Sequence, residues 1–493
     1  MPRTKDGHIY QNGIVTAGLE TDAVVSSSPN LKDSYDVIVL GAGFAGLIAA
    51  RDLSRNKDLK VLLLEGRDRI GGRTWTSKAF GEMFEMGGNW VHWCQPHIYA
   101  EISKYGLHKS LATTTGTANA QTMLYKPKGQ PVLDLDLVTT QTKWESLATQ
   151  FFAIDGLSAR ELMPYPHDPL KKPLQPWWKY DHLSVRDRLD QMKDVSEEDK
   201  DELEANFGSF GSCIGEEIAF TAALHWYALS GYSIEATYAA AGTFKLGGGG
   251  MTGFARRVLE DCDGDLEVGA KVIKVKQDKE MVEVICESGR CVEARRVVCT
   301  IPLNCLKDIE FDPPFDPLRK EAIAAGHRNT GAKIHYRVKE TQSGWGVQTA
   351  DRDASDLLWV FADRNANSAS GAEGTYCMGF GYNGRLVDPL ETEDVKRALL
   401  GLKPDVTIDS YLTHAWATDP FAKGVWYCAS PDATSQYLEE LQKPHGKITM
   451  ASADWADGWR GFVDGAIEQG ARAVVTVARD LAAGRATSNH LGA

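Results

Sequence analysis

YDVIVLGAGFAGLIAARDL at residues 35–53, followed by LKVLLLEGRDRIGGRTW at 59–75, decides the fold. The first six residues are a near-continuous apolar run, the pattern of a parallel strand covered on both faces. A glycine turn follows, then an apolar helix through Leu47, Ile48, Ala50 and Leu53. LKVLLLE (59–65) is a second strand of the same kind, so the stretch reads as a βαβ unit. Within it Gly41, Gly43 and Gly46 spell G-x-G-x-x-G. The first glycine permits a tight turn, the second lets backbone approach a pyrophosphate, and the third packs helix on strand. The helix N-terminus then favours the anion through its free N–H groups and dipole. Glu65 closes the second strand 19 residues after Gly46. A carboxylate there accepts from the hydroxyls of an adenosine ribose and disfavours a 2′-phosphate.

Upstream, residues 1–34 are polar, with SSSPN at 26–30, and read as a loose leader. Downstream, residues 160–182 are rich in Pro and aromatics and read as an irregular surface loop. Residues 184–243 are helical in pattern, and the charged run EEDKDELE within them reads as a solvated helix face. LGGGGM (246–251) is a sharp break before the helix-like FARRVLEDC (254–262). The period then changes to two in KVIKVKQ (271–277), MVEVICE (281–287) and RCVEARRVVCTIP (290–302), which predicts β strands. Residues 326–430 mix strands and loops. A last helix carries Val463, Ala466, Ile467, Gly470, Ala471, Val474, Ala478 and Leu481 on a 3.6 period.

Across 493 residues, 54 Lys and Arg stand against 67 Asp and Glu, a net charge of −13. That argues against a nucleic-acid partner, which calls for clustered basic residues. With 43% hydrophobic and 25% charged residues the chain has ordinary globular composition. Nine cysteines, an odd number with no C-x-x-C, indicate neither a disulfide framework nor a metal site. They fit a reducing compartment. The longest strongly apolar uncharged stretch, Val37–Ala50, has 14 residues, too short to span a membrane. The start lacks an apolar signal region, and the terminal Leu-Gly-Ala is no peroxisomal address. A cytoplasmic protein is expected. His92, His225, His335 and His414 are isolated in sequence and read as hydrogen-bonded or surface histidines.

After Glu65 the chain reads EGRDRIGGRTW, and EMGGNWVH follows at 85–92. Here the sequence resembles the flavin-containing amine oxidase family, over residues 35–483. The resemblance implies FAD as the cofactor. Arg67 and Arg73 would balance phosphate charge, while Gly71, Gly72, Gly87 and Gly88, with Asn89 and Trp90, would let backbone lie against the cofactor. Val272 matches the strand position that contacts adenine. Asp454, in ASADWADGWRGFVDGA, matches an acidic ribityl or phosphate contact. The helix starting near Val463, just after Phe462, would point its N–H groups at the flavin pyrimidine. Ala45 departs from relatives that carry a hydroxyl there.

Within the family the resemblance is strongest to monoamine oxidases of the soluble fungal type, carried by HAWATDPFAKGVWY (414–427). It places Trp416 beside the flavin and makes Trp426 and Phe462 the two walls of an aromatic cage. Lys333, in GAKIHY, matches the lysine that holds a water against flavin N5. Val425 stands where membrane-bound relatives place a flavin-linking cysteine, so the FAD is expected to be non-covalent. The implied fold is α/β: a Rossmann-type FAD-binding domain (35–100, 246–325, 447–485) with a discontinuous α+β substrate domain (101–245, 326–446). The implied reaction takes an amine to an imine, hydrolysed to a carbonyl, with O2 reduced to H2O2. An L-amino-acid or polyamine oxidase, or a non-catalytic flavin-binding protein, are the alternatives. The resemblance also implies a homodimer.

Overall fold

The computed structural model describes residues 2–118, 120–366 and 373–490, with the side chains of 117–118 and 484–490 excepted. The terminal Leu-Gly-Ala lies outside the described residues. Two large sheets organise the chain. The first has the strand order Asp265–Val268, Val61–Glu65, Ser34–Leu40, Cys291–Cys299, Val282–Cys286, Val272–Gln277, Glu310–Asp312, with Ile448–Met450 alongside Cys291–Cys299. Its core strands run parallel, and Leu40, Cys299 and Met450 share one level because Leu40 pairs with Cys299 and Cys299 with Met450. Val37, Ile38, Val39 and Leu40 are all fully buried, which is why this strand reads as an unbroken apolar run rather than an alternating one. The helices Phe44–Ser54 and Val463–His490 pack on each other across one face of this sheet. Open parallel sheets bind ligands beyond the carboxyl ends of their strands. Here that edge carries Gly41, Glu65, Thr300 and Ser452.

The second sheet is mostly antiparallel, in the order Ile14–Ala17, His8–Gln11, Ile408–Thr413, Lys333–Val338, Thr375–Gly381, Leu357–Asn365, Trp345–Thr349, Thr122–Lys126, Leu133–Leu135. A helical layer containing Leu137–Phe151, Glu197–Gly211 and Phe220–Leu229 builds a separate aromatic-rich core. The architecture is mixed α/β, with one sheet largely parallel and the other largely antiparallel.

Three expectations are corrected. Residues 8–17 are not a loose leader: they form a hairpin on the edge of the second sheet, where His8 pairs with Thr413 and Gln11 with Ser410. The signal was Asn12-Gly13, both at positive φ (53° and 83°), the conformation of a two-residue hairpin turn. The Pro-rich stretch 160–182 is not all surface loop, because Trp177 is fully buried and Tyr180 nearly so, in the helical core. The run EEDKDELE is not wholly solvated. Glu202 is buried and accepts from Trp144 Nε1 at 2.6 Å and Lys143 Nζ at 2.6 Å. Among the described residues no helix is long and apolar enough to cross a membrane.

Candidate active site

The glycine turn forms as its spacing requires. Gly41 takes φ 100° and donates to Leu64 O at 2.7 Å, tying the turn to the neighbouring strand. A Cβ on Gly46 would lie 1.8 Å from Gly41 O, so this glycine is a packing requirement and does not line the cavity. Gly43 caps the helix without a side-chain hydrogen bond, which leaves the first N–H groups of Phe44–Ser54 free for an anion. Gly41, Gly43 and Ala45 line one continuous cavity of about 610 Å³.

The Glu65 carboxylate accepts from Ala42 N at 2.7 Å and Arg67 N at 2.8 Å, so backbone fixes its orientation while lone pairs remain for a ligand. The arginine loop folds back against the glycine turn, and a Cβ on Gly72 would lie 3.1 Å from Gly43 Cα. Arg67 lines the cavity, yet its guanidinium pairs with Asp6 at 2.9 Å and Asp419 at 2.7 Å, so its charge is already balanced by protein carboxylates. Arg73 also lines the cavity and pairs with Asp454 at 2.6 Å while donating to Val425 O at 2.8 Å. Asp454 does not itself line the cavity. Its second oxygen accepts from Leu303 N at 2.9 Å, and it reaches the site only by holding Arg73. Val272 lines the cavity together with its chain neighbours Ala270 and Lys271.

Gly87, Gly88, Asn89 and Trp90 form the next stretch of wall. A Cβ on Gly87 would lie 1.9 Å from Arg73 O, so backbone packs directly on backbone here. Lys333, at the start of the strand Lys333–Val338, donates to Gly87 O at 2.6 Å and Asn89 Oδ1 at 3.0 Å. It is buried, and burial lowers its pKa to about 7, with Glu85 opposing that shift. Glu85 shows the mirror effect, raised by burial to about 7. Asn89 Nδ2 is buried without a partner. Trp416 lines the same wall, its indole held by Met86 O at 3.0 Å.

Beyond Lys333 the cavity becomes aromatic. Trp426 and Phe462 both line it, and separate contacts fix their orientations. Trp426 Nε1 donates to Phe210 O at 2.7 Å, and Phe380 meets its ring edge-on at 6.1 Å. Phe462 is held edge-to-face by Trp226 at 4.7 Å and Trp459 at 5.0 Å. Val463, the first residue of the last helix, lines the cavity as well. Sequence reasoning missed Trp226, Tyr238, Trp359, Phe361 and Phe380, which complete the chamber. They sit in helices and strands whose apolar pattern is that of ordinary core, so no local signal marked them. It also missed Glu235, the one carboxylate among the lining residues of this half. His225 and His335 are spent on backbone carbonyls, Pro166 O at 2.7 Å and Glu85 O at 2.8 Å.

FAD fits this arrangement. Backbone without Cβ atoms lines the dinucleotide end, a helix N-terminus opens onto it, and the oriented Glu65 carboxylate keeps lone pairs for a ribose.

The family model described as flavin containing amine oxidoreductase matches residues 44–478. The chain is 35% identical over 448 residues to pseudooxynicotine dehydrogenase of Pseudomonas sp, covering 88% of this chain and 84% of that protein. It is 28% identical over 439 residues to nicotine dehydrogenase of Pseudomonas putida, covering 89% and 87%. Among solved structures, a triple mutant of putrescine oxidase superposes with a TM-score of 0.75 at 21% identity, covering 91% of this chain and 99% of that one. That likeness shows the fold.

Proposed function

We propose, for a chain that belongs to the flavin containing amine oxidoreductase family and so oxidises amines with FAD, that its substrate is a small amine carrying a flat aromatic group and that O2 takes the electrons. The observation that carries the reading is one continuous cavity, glycine-lined at the carboxyl edge of the first sheet and aromatic beyond Lys333. The names of the nicotine-related relatives support the aromatic substrate.

FAD, when bound, accepts a hydride or its equivalent from the amine carbon and passes two electrons on. The chain's residues orient, exclude water and hold charge. Trp426 and Phe462 wall the path of the amine, and their apolar faces favour its neutral form, the one whose lone pair becomes the imine bond. Trp416 packs beside them, with its indole anchored. Lys333 supplies a cation next to the Gly87–Asn89 wall, where it steadies developing negative charge. The imine then takes up water and splits into a carbonyl compound and ammonia or an amine. Non-covalent FAD is part of the same reading, supported by Val425 at the linking position. So is a cytoplasmic setting, supported by nine cysteines that are all free. A homodimer rests on the family resemblance.

Two relatives are named dehydrogenases, which favours a second reading in which another electron acceptor replaces O2. One experiment separates them. The enzyme is reduced anaerobically by members of an aromatic amine panel, then mixed with O2. Fast reoxidation with stoichiometric H2O2 supports the oxidase. Reduction without fast reoxidation supports the dehydrogenase, and no reduction by any amine defeats both.

A further inference from the structure

The segment ahead of the family-matched region is built into the dinucleotide cradle. Residues 2–25 wrap the arginine loop 66–73 through a series of hydrogen bonds. Thr4 Oγ1 donates to Asp68 Oδ1 at 2.7 Å, Ile70 N to Ala23 O at 3.0 Å, and Val25 N to Asp68 O at 3.3 Å. Asp6 lies at the centre. Its Oδ2 accepts from Arg67 Nη1 at 2.9 Å and from Arg69 Nε at 2.8 Å. Arg69 then donates through Nη1 to Gly72 O at 2.9 Å. A chain of contacts thus runs from Asp6 through Arg69 to Gly72, the glycine that packs on Gly43 in the cavity wall.

Arg67 and Arg69 face Asp6 and Asp419. His414 Nδ1 accepts from Gly7 N at 3.1 Å, so its proton sits on Nε2 and is donated to Asp419 at 2.6 Å. Burial lowers the His414 pKa, which keeps the ring neutral. The ligand atoms of Asp6, His414 and Asp419 lie within 4.8 Å of one another, the spacing of a metal site. Two guanidinium groups already supply the positive charge there, so the cluster is an ion-pair network. Arg69 is fully buried. Without Asp6 it would be a buried cation lacking its carboxylate, and the loop would have to open to hydrate it.

We propose that Asp6 is a positioning residue for the dinucleotide, holding the arginine loop in the shape that receives it. This rests on the reading of the cavity as the FAD site. The test is a titration of FAD into flavin-stripped enzyme, read by flavin fluorescence, with the melting temperatures of holo and apo forms measured in parallel. Asp6→Asn should raise the FAD dissociation constant about 10-fold or more and shrink the holo-minus-apo melting difference. Asp263→Asn, which breaks an exposed pair with Lys57 outside both the segment and the loop, should change FAD affinity less than about 2-fold. Equal lowering of both melting temperatures with unchanged FAD affinity in Asp6→Asn would overturn the proposal. A wild type that binds no FAD would overturn it together with the flavin reading. If Asp6→Asn does not fold, Asp6→Glu serves: a several-fold loss of FAD affinity supports the role, and unchanged affinity defeats it.

Discussion

The ammonium nitrogen of Lys333 lies 2.6 Å from the carbonyl oxygen of Gly87, and among the described residues no carboxylate comes within ion-pair distance of it. With neutral dipoles at hydrogen-bond range and Glu85 and Asp363 acting only from farther off, the ammonium can stabilise negative charge that arises beside it. Lys333→Met should therefore slow reoxidation by O2 several-fold or more and leave the fold intact. Stopped-flow mixing of the reduced variant with O2 measures this, and an unchanged rate would remove Lys333 from the oxidative step.

The same burial makes a prediction for stability. Glu85 is raised from 4.5 to about 7, so between those values the folded state holds more protons than the unfolded one. Stability from this group is present below the lower value and is lost as pH rises through about 7. Lys333 is lowered from 10.5 to about 7, so above pH 7 the unfolded state holds more protons and stability rises with pH. Together they give a low point near neutrality. Glu85→Gln should flatten the acid side of the melting-temperature profile and Lys333→Met the basic side, and each should also shift the other limb because each charge stabilises its partner's charged form. Profiles that both variants leave unshifted would show that neither group titrates in this range.

FAD should leave the protein on acid denaturation. Val425 offers no thiol at the linking position, and Cys428, three residues on, is part-buried beside the helical core with burial pushing its thiol up to about 12. Cys305 does line the cavity, with Sγ 3.8 Å from Pro420 O, and its thiol is also pushed up to about 12. Thiolate is the reactive form, so neither is set up to attack a ring. Yellow colour remaining with the acid pellet would contradict this.

Much of this site was legible in the sequence because its backbone demands are local. Gly41, Gly43 and Gly46 sit five residues apart on one turn, and Glu65 ends the strand that pairs beside them. What was illegible depends on long-range pairing. Asp6 reaches Arg67 and Arg69 only because the Asn12-Gly13 hairpin docks residues 8–11 on a strand about 400 positions away. Asp454 sat in the expected segment, but whether a carboxylate touches a ligand or a neighbouring arginine is decided by packing, which spacing does not encode.

Glu235 should act on capture rather than chemistry. It sits at the outer, N-terminal end of the helix Ile234–Gly242, which lines the chamber, about 12 Å along the axis from Thr243. Most amines arrive as cations, and an exposed carboxylate attracts them weakly. Glu235→Gln should raise KM about 3-fold with kcat unchanged, and the difference should fade as salt screens the charge. An equal fall in kcat would instead place Glu235 at the reacting centre. Because the chamber favours the neutral amine, kcat/KM should also carry a basic limb that loses rate towards acid.

Trp426 and Phe462 come from segments far apart in sequence, yet both line the aromatic chamber, each with its own restraint: the Phe210 carbonyl for one, Trp226 and Trp459 for the other. Restrained rings narrow the approach of the amine, and misplacement by about 1 Å can cost about 100-fold in rate. Trp426→Ala and Phe462→Ala should each slow anaerobic flavin reduction about 10-fold or more. FAD content should stay near normal, since neither residue forms part of the glycine-lined cradle. Trp226→Ala supplies the contrast. It touches Phe462 and Phe210 and should loosen the wall, giving a smaller loss than Phe462→Ala itself. Full flavin occupancy with an unchanged reduction rate and only a lower melting temperature in the two cage variants would make both residues core packing, and the approach path would then have to run past Phe361 and Phe380.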